Sequence, residues 1–245
     1  MKTRGESSVE AFGQDILNKG TYTYTDGSRL SSRMATEKSR DSIIRLGDFS
    51  GCSLIDIGCG DGHFTMAYHD VIPSARITGI DASPEAIGMA KKNSLDRDIV
   101  FECASAHALP YADGSFDVAL LQSILHHDDS PELMINEAFR VAQRVVIHEP
   151  NGYNLGLKAI ERLSPYHRSH HETSYTVSKI RGWINDSGGE IENVEYLGFV
   201  PMFAPDWLAR SMKFVEPVIE RTPFLNMSGA AVFVILARRR DAEIT

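Results

Sequence analysis

The chain predicts an α/β fold, with an open, largely parallel sheet covered by helices on both faces. Three observations carry this. Short Val/Ile/Leu-rich runs alternate with helix-patterned stretches through most of the sequence. The first run, Leu54-Ile55-Asp56-Ile57, leads into a loop with glycine at every second place, and the next ends in a carboxylate, Asp81. The 245 residues are 42% hydrophobic and 24% charged, which suits one soluble domain with a sizeable core.

Each element follows from its local pattern. Met1 to Gly27 is polar and aromatic, and Ser28 to Leu46 is patterned as a helix ending near Gly47. The first strand is Ser53 to Ile57, followed by a helix from about Gly62 to His69 and a second strand from Arg76 to Asp81. Ser83 is placed to cap a helix, and Pro84 suits its first position. Ile99 to Cys103 and Phe116 to Leu121 form the third and fourth strands, Pro131 to Ala142 a helix, and Arg144 to His148 the fifth strand. Glu149-Pro150-Asn151 then turns the chain. Beyond it come a short helix at Asn154 to Leu163, a polar loop to Tyr175 and a helix from Val177 to Asp186. Strands at Glu190 to Phe199 and Gly229 to Ala237 flank an insertion containing Trp207 and Phe214.

Composition narrows the function classes. The formal charge is -8, from 25 Lys+Arg against 33 Asp+Glu, which disfavours a nucleic-acid backbone as partner. Cys52, Cys59 and Cys103 form no C-x-x-C pair, so neither zinc nor redox chemistry is expected. His167, His170, His171 and Glu172 lack an adjacent acid cluster, and no metal site is expected there. The N-terminus shows no apolar signal segment, and no apolar run is long enough to span a bilayer. A cytoplasmic monomer or homodimer is the expectation.

The glycine loop carries most of the functional information. A strand, glycine loop, helix and second strand ending in an acid make a crossover unit that holds a nucleoside-like ligand. Glycines let the backbone approach the ligand closely. Asp81 lies 23 residues after Gly58, where a carboxylate can accept both ribose hydroxyls. The order Gly58-x-Gly60-x-Gly62 brings the third glycine one residue earlier than the dinucleotide fingerprint G-x-G-x-x-G. Asp56 and Asp61 are ill placed for a pyrophosphate, and a cationic ligand tolerates them better.

This run resembles motif I of class I S-adenosylmethionine-dependent methyltransferases, of the small-molecule "type 11" kind. The family's signature is close to E/D-x-G-x-G-x-G, and Asp56, Gly58, Gly60 and Gly62 match it. A second match is Ala106, Leu109, Pro110, Asp113, Ser115, Phe116 and Asp117, within the family's G-D-A-x-x-L-P-F-x-D-x-S-F-D stretch. Ser105 departs from it, standing where the family has an acid for the adenine amino group. A hydroxyl there forgoes the charge-assisted bond. Good resemblance covers about Leu54 to Pro150.

The resemblance implies a Rossmann-like seven-stranded mixed sheet, order 3-2-1-4-5-7-6, with the last strand antiparallel and a small helical lid. It implies S-adenosylmethionine as cofactor and S-adenosylhomocysteine as product. The implied cofactor-binding residues are Asp56, Gly58, Cys59, Gly60, Gly62, Asp81, Ala82, Ser105, Ala106 and Gln122. Residues 1–245 would form a single domain, with an N-terminal cap at 1–48, a core at 49–150 and lid segments at 150–176 and 201–226. Strand C-termini line the cleft of open α/β sheets, so His126, His127 and His148 are the candidate catalytic groups. Tyr22, Tyr24, Tyr166, Tyr175 and Trp207 are candidate aromatic faces for a sulfonium.

The expected reaction moves a methyl group to an O, N or C nucleophile of a small molecule. The alternatives are an RNA or protein methyltransferase, or a non-catalytic S-adenosylmethionine-binding protein. The N/D-P-P-Y signature of base-amino methylation is absent after the fourth strand.

Overall fold

A computed structural model of the chain describes residues 13–14, 30–72, 75–163, 173–199 and 205–240. The first long helix, α1 (Leu30–Gly47), precedes an alternating series. The series is β1 (Ser53–Ile57), α2 (His63–Val71), β2 (Arg76–Asp81), α3 (Pro84–Asn93), β3 (Ile99–Cys103), β4 (Phe116–Gln122), α4 (Pro131–Val141) and β5 (Ala142–Pro150). It continues with α5 (Leu155–Leu163), α6 (Val177–Asp186), β6 (Gly189–Leu197), α7 (Asp206–Glu220), α8 (Pro223–Gly229) and β7 (Val232–Arg239).

The seven strands form one sheet in the order β3-β2-β1-β4-β5-β7-β6. Neighbours from β3 through β5 are parallel, while β7 runs antiparallel to both β5 and β6. This is the expected sheet, including its one reversed strand.

The period-2 alternation of the central strands divides the core between two faces. Leu54, Val118, Leu120 and Val146 pack with Ile43 of α1 and Tyr68 of α2. Ile55, Ile57, Ala119, Leu121, Val145 and Ile147 pack with α4 and α6 through Ile135, Phe139, Ile180 and Ile184. Buried on both sides, these strands read as near-continuous apolar runs. Each fully buried Leu or Ile contributes about 1.5–3 kcal/mol.

Some boundaries differ from the sequence reading. The fifth strand continues through Pro150, because His148, Glu149 and Pro150 pair with Val234, Phe233 and Val232 of β7. The chain therefore turns after Glu149 and Pro150. Residues 223–229 are helical, and the last strand begins only at Val232. The helix at Pro84 is as expected: Ser83 Oγ accepts a hydrogen bond from Ala86 N at 3.2 Å. Among the described residues no helix is long and apolar enough to cross a membrane.

Candidate active site

The glycine loop leaves β1 at the C-terminal edge of the parallel strands, the edge where such sheets bind ligands. Gly58, Gly60 and Gly62 all have positive φ, at 79°, 57° and 76°. Side chains rarely adopt that conformation, so the alternating glycines follow from the backbone path. The N–H groups of Gly58 and Cys59 both donate to Ile80 O, each at 2.8 Å, tying the loop to β2.

Asp81 closes the loop from the tip of β2. Gly60 N–H donates to Asp81 Oδ2 at 2.9 Å, and Ser83 N–H donates to Oδ1 at 2.8 Å. A carboxylate has about four acceptor sites. Gly60 and Ser83 engage two of them, Ala82 N–H also bonds the carboxylate, and the half-buried side chain retains acceptor capacity. Burial raises the Asp81 pKa, and the backbone N–H bonds from Ser83 and Gly60 oppose the rise.

Asp56 lies beneath the loop, 2% exposed, and accepts a bond from Thr65 Oγ1 at 2.6 Å. Burial raises its pKa from 3.8 to about 6, and the Asp81 charge adds to the rise. The Cys59 thiol is also pushed up, by burial first and then by the charges of Asp56, Asp81 and Asp61. These acids concentrate negative potential in one loop. That potential opposes a pyrophosphate and favours a ligand bearing an ammonium and a sulfonium.

Further around the edge, Ala82 and Ser105 are exposed, and Ala106 is half-buried. Ser105 Oγ accepts a bond from His107 N at 3.2 Å, which leaves its O–H as a donor. Gln122 closes β4, where Tyr68 OH donates to its Oε1 at 2.5 Å. The next residue, Ser123, is non-glycine yet left-handed, at φ 55°. Such strain is held only where the surroundings fix it. Here Ser123 N–H donates to His148 O at 2.8 Å.

That bend sends the chain into a short 3₁₀ turn, Leu125–His127. A Cβ on Gly58 would lie 2.3 Å from Ile124 Cδ1, so this turn packs directly on the glycine loop. Glu149, fully buried at the end of β5, organises it. Ile124 N and Leu125 N donate to Glu149 Oε1 at 2.9 and 2.8 Å. The His126 Nδ1 lies 2.6 Å from Glu149 Oε2. The rings of His126 and His127 lie tilted by 45° to one another, with centroids 3.8 Å apart. His148 is buried, with Nδ1 3.3 Å from Ser123 Oγ and Nε2 3.0 Å from Ser39 Oγ of α1. Burial lowers its pKa from 6.5 to about 4, with the Glu149 charge acting against the shift.

The sequence left Glu149 either turning the chain or orienting a substrate hydroxyl or amine at the cleft rim, and its part in holding the 3₁₀ turn was missed. The available signal was an acid ending an apolar strand opposite a His-His pair. Among the aromatic candidates, Tyr175 packs edge-on against Trp183 at 4.9 Å and Trp207 is exposed. Tyr22, Tyr24, Tyr166, His167, His170, His171 and Glu172 lie outside the described residues.

Comparison with known proteins resolves the family. A model described as a methyltransferase domain matches residues 48–189, more than half of the chain. The chain belongs to the S-adenosylmethionine-dependent methyltransferase family. The demethylmenaquinone methyltransferase of Lactococcus lactis is 34% identical over 133 residues, covering 52% of this chain and 53% of that protein. The 27-O-demethylrifamycin SV methyltransferase of Amycolatopsis mediterranei is 35% identical over 130 residues, covering 48% and 45%. This methyltransferase-family chain thus spans about half the length of the curated relatives it matches. The structure of magnesium protoporphyrin IX methyltransferase from Synechocystis with bound S-adenosylmethionine superposes with a TM-score of 0.68 at 14% identity. That match covers 98% of this chain and 99% of that one, a likeness of fold.

Proposed function

We propose that this protein transfers the methyl group of S-adenosylmethionine to an O, N or C nucleophile of a small molecule. One observation carries the reading: an acid-rich glycine loop packs on Ile124, whose N–H donates to the same buried Glu149 that holds His126. Bound S-adenosylmethionine supplies a methyl group made electrophilic by its sulfonium. Asp81 accepts from the ribose hydroxyls, and the Gly58–Gly62 loop offers backbone to the methionine portion. Asp56 and Asp61 supply compensating charge. Ile80, Ala82 and Ala106 border the adenine, and Ser105 accepts from its amino group. Gln122, fixed by Tyr68, borders the methionine portion.

Holding acceptor and methyl donor in line provides much of the rate. His126 is the group we assign to take the acceptor's proton. Its Nδ1–H donates to Glu149, which makes Nε2 the acceptor nitrogen of the ring. His127 then borders the acceptor. His148, neutral and engaged with Ser39 and Ser123, acts as a positioning residue that fixes the strained bend before the 3₁₀ turn. The described parts of the segments 150–176 and 201–226, namely 150–163, 173–176 and 205–226, serve as the lid, and the rest of both segments lies outside the described residues.

The named relatives act on a demethylmenaquinone and a demethylrifamycin, which supports a small organic acceptor. Calorimetric titration with S-adenosylhomocysteine, with NAD as control, tests the cofactor half. Micromolar binding of the former alone is expected, and preference for NAD overturns it. For the acceptor half, the enzyme is given methyl-labelled cofactor with a panel of quinols, sugars and polyketides. Label is expected in one of these, and label appearing only in added RNA or protein overturns the assignment.

A further inference from the structure

The helix α7 carries an apolar face that is exposed among the described residues. Its inner side is accounted for: Ala209 is buried, and Glu216 pairs with Lys38 of α1 at 2.8 Å. At about 100° per residue, Trp207, Phe214 and Val218 fall within roughly 40° of one another on the outer side. Phe214 is 85% exposed, Trp207 69% and Val218 66%. Phe224 and Leu225 at the start of α8 are also exposed. Arg210 and Arg221 flank the stripe on one side. Both are exposed, and neither has an ion pair or hydrogen bond among the described residues. Asp206 lies off the stripe, about 100° from Trp207 by the same geometry.

Large apolar side chains exposed together on one helix face mark interaction sites. Trp and Phe on a helix face with arginines along its margin suit the boundary between headgroups and acyl chains. A second copy suits it less well. A two-fold contact through this stripe would set arginines against arginines, with no carboxylate inside the stripe to offset them. Lipid phosphates supply that opposite charge.

The location also favours a surface the protein sits on. Helices α7 and α8 precede β7, whose first residues pair with the last of β5. Asn151 Nδ2, just beyond β5, donates to Met227 O and Ala230 O at 2.8 and 2.9 Å, tying α8 to this edge. Helix α8, into which α7 leads, therefore lies at the same edge of the sheet as the glycine loop and the His126 turn. We infer that the α7–α8 face docks the protein on an anionic lipid bilayer, with its candidate active site at the membrane surface.

Sedimentation of the full chain with vesicles tests this. Binding is expected to 3:1 phosphatidylcholine:phosphatidylglycerol vesicles, weakening as salt rises and falling sharply on pure phosphatidylcholine. Tryptophan emission should shift to the blue on binding, and Trp207→Phe should abolish the shift. Phe214→Glu, at an exposed site that leaves folding intact, should weaken binding at least about tenfold. Arg210→Gln and Arg221→Gln should each cost about fivefold. Three results would each overturn the inference: no sedimentation with either vesicle, equal sedimentation with both, or a dimer in light scattering that Phe214→Glu dissociates while vesicle binding is unchanged.

Discussion

Asp81 is where single-residue chemistry bears most directly on function. Its carboxylate is already oriented by backbone N–H groups, so under the proposed ribose assignment its remaining acceptor capacity needs no further ordering. Hydrogen bonds to a charged acceptor are worth about 1.5–3 kcal/mol each. Asp81→Ala should therefore weaken S-adenosylhomocysteine binding by roughly 10–100-fold in a calorimetric titration, and unchanged affinity would sink the ribose assignment. Ser105 makes the complementary case. The hydroxyl already accepts from His107 N, and the family's carboxylate would add a charge-assisted bond to the adenine amino group. Ser105→Asp should tighten the same titration by about fivefold, with loss of affinity as the contrary result.

The glycine loop and the 3₁₀ turn are two elements that stand or fall together. Gly58→Ala would place a methyl group 2.3 Å from Ile124 Cδ1 at a residue with φ 79°. Left-handed strain and overpacking together should cost about 3 kcal/mol in a urea melt. Glu149 tests the turn from the other side. Glu149→Ala leaves Ile124 N, Leu125 N and His126 without their buried acceptor and should cost about 3–5 kcal/mol. Glu149→Gln keeps the oxygen facing both backbone N–H groups but turns an N–H toward His126 Nδ1. Stability should stay near the parent while methyl transfer falls, because the ring's proton moves to Nε2. If Glu149→Gln transfers at the parent rate, His126 is not the base. This pair also shows what a sequence can carry. Glycine spacing and the acid at Asp81 are local features, so the loop was legible, and the sheet order followed from the family resemblance that those features carry. The bonds of Glu149 cross from β5 to the segment after β4, and nothing in the local pattern Glu149-Pro150-Asn151 separates a turn from a buried acceptor. Likewise Pro150 signals a turn by composition, yet pairs with Val232 of β7 because the sheet continues past it.

For the molecule as a whole, two buried groups make large and opposed contributions to the dependence of stability on pH. Asp56 is raised by burial to about 6, and His148 is lowered by burial to about 4. Near pH 5 the unfolded chain carries an ionised Asp56 and a protonated His148. The folded chain carries a protonated Asp56 and a neutral His148, so folding relocates one proton without changing the charge of the pair. Asp56 contributes stability that is present below about pH 4 and lost as pH rises through 6. His148 contributes stability that is present above about pH 6.5 and lost as pH falls through 4. Each amounts to about 3 kcal/mol, at 1.36 kcal/mol per unit. The windows coincide and the slopes oppose, so the two contributions cancel in the parent between pH 4 and 6.5. Single variants should unmask them in urea melts over that range. Relative to the parent, Asp56→Asn should gain about 3 kcal/mol as pH rises, since only the histidine remains. His148→Gln should lose about 3 kcal/mol over the same interval, since only the carboxyl remains. Parallel curves for all three proteins would mean that neither group changes protonation on folding, and the buried charges would have to be assigned elsewhere.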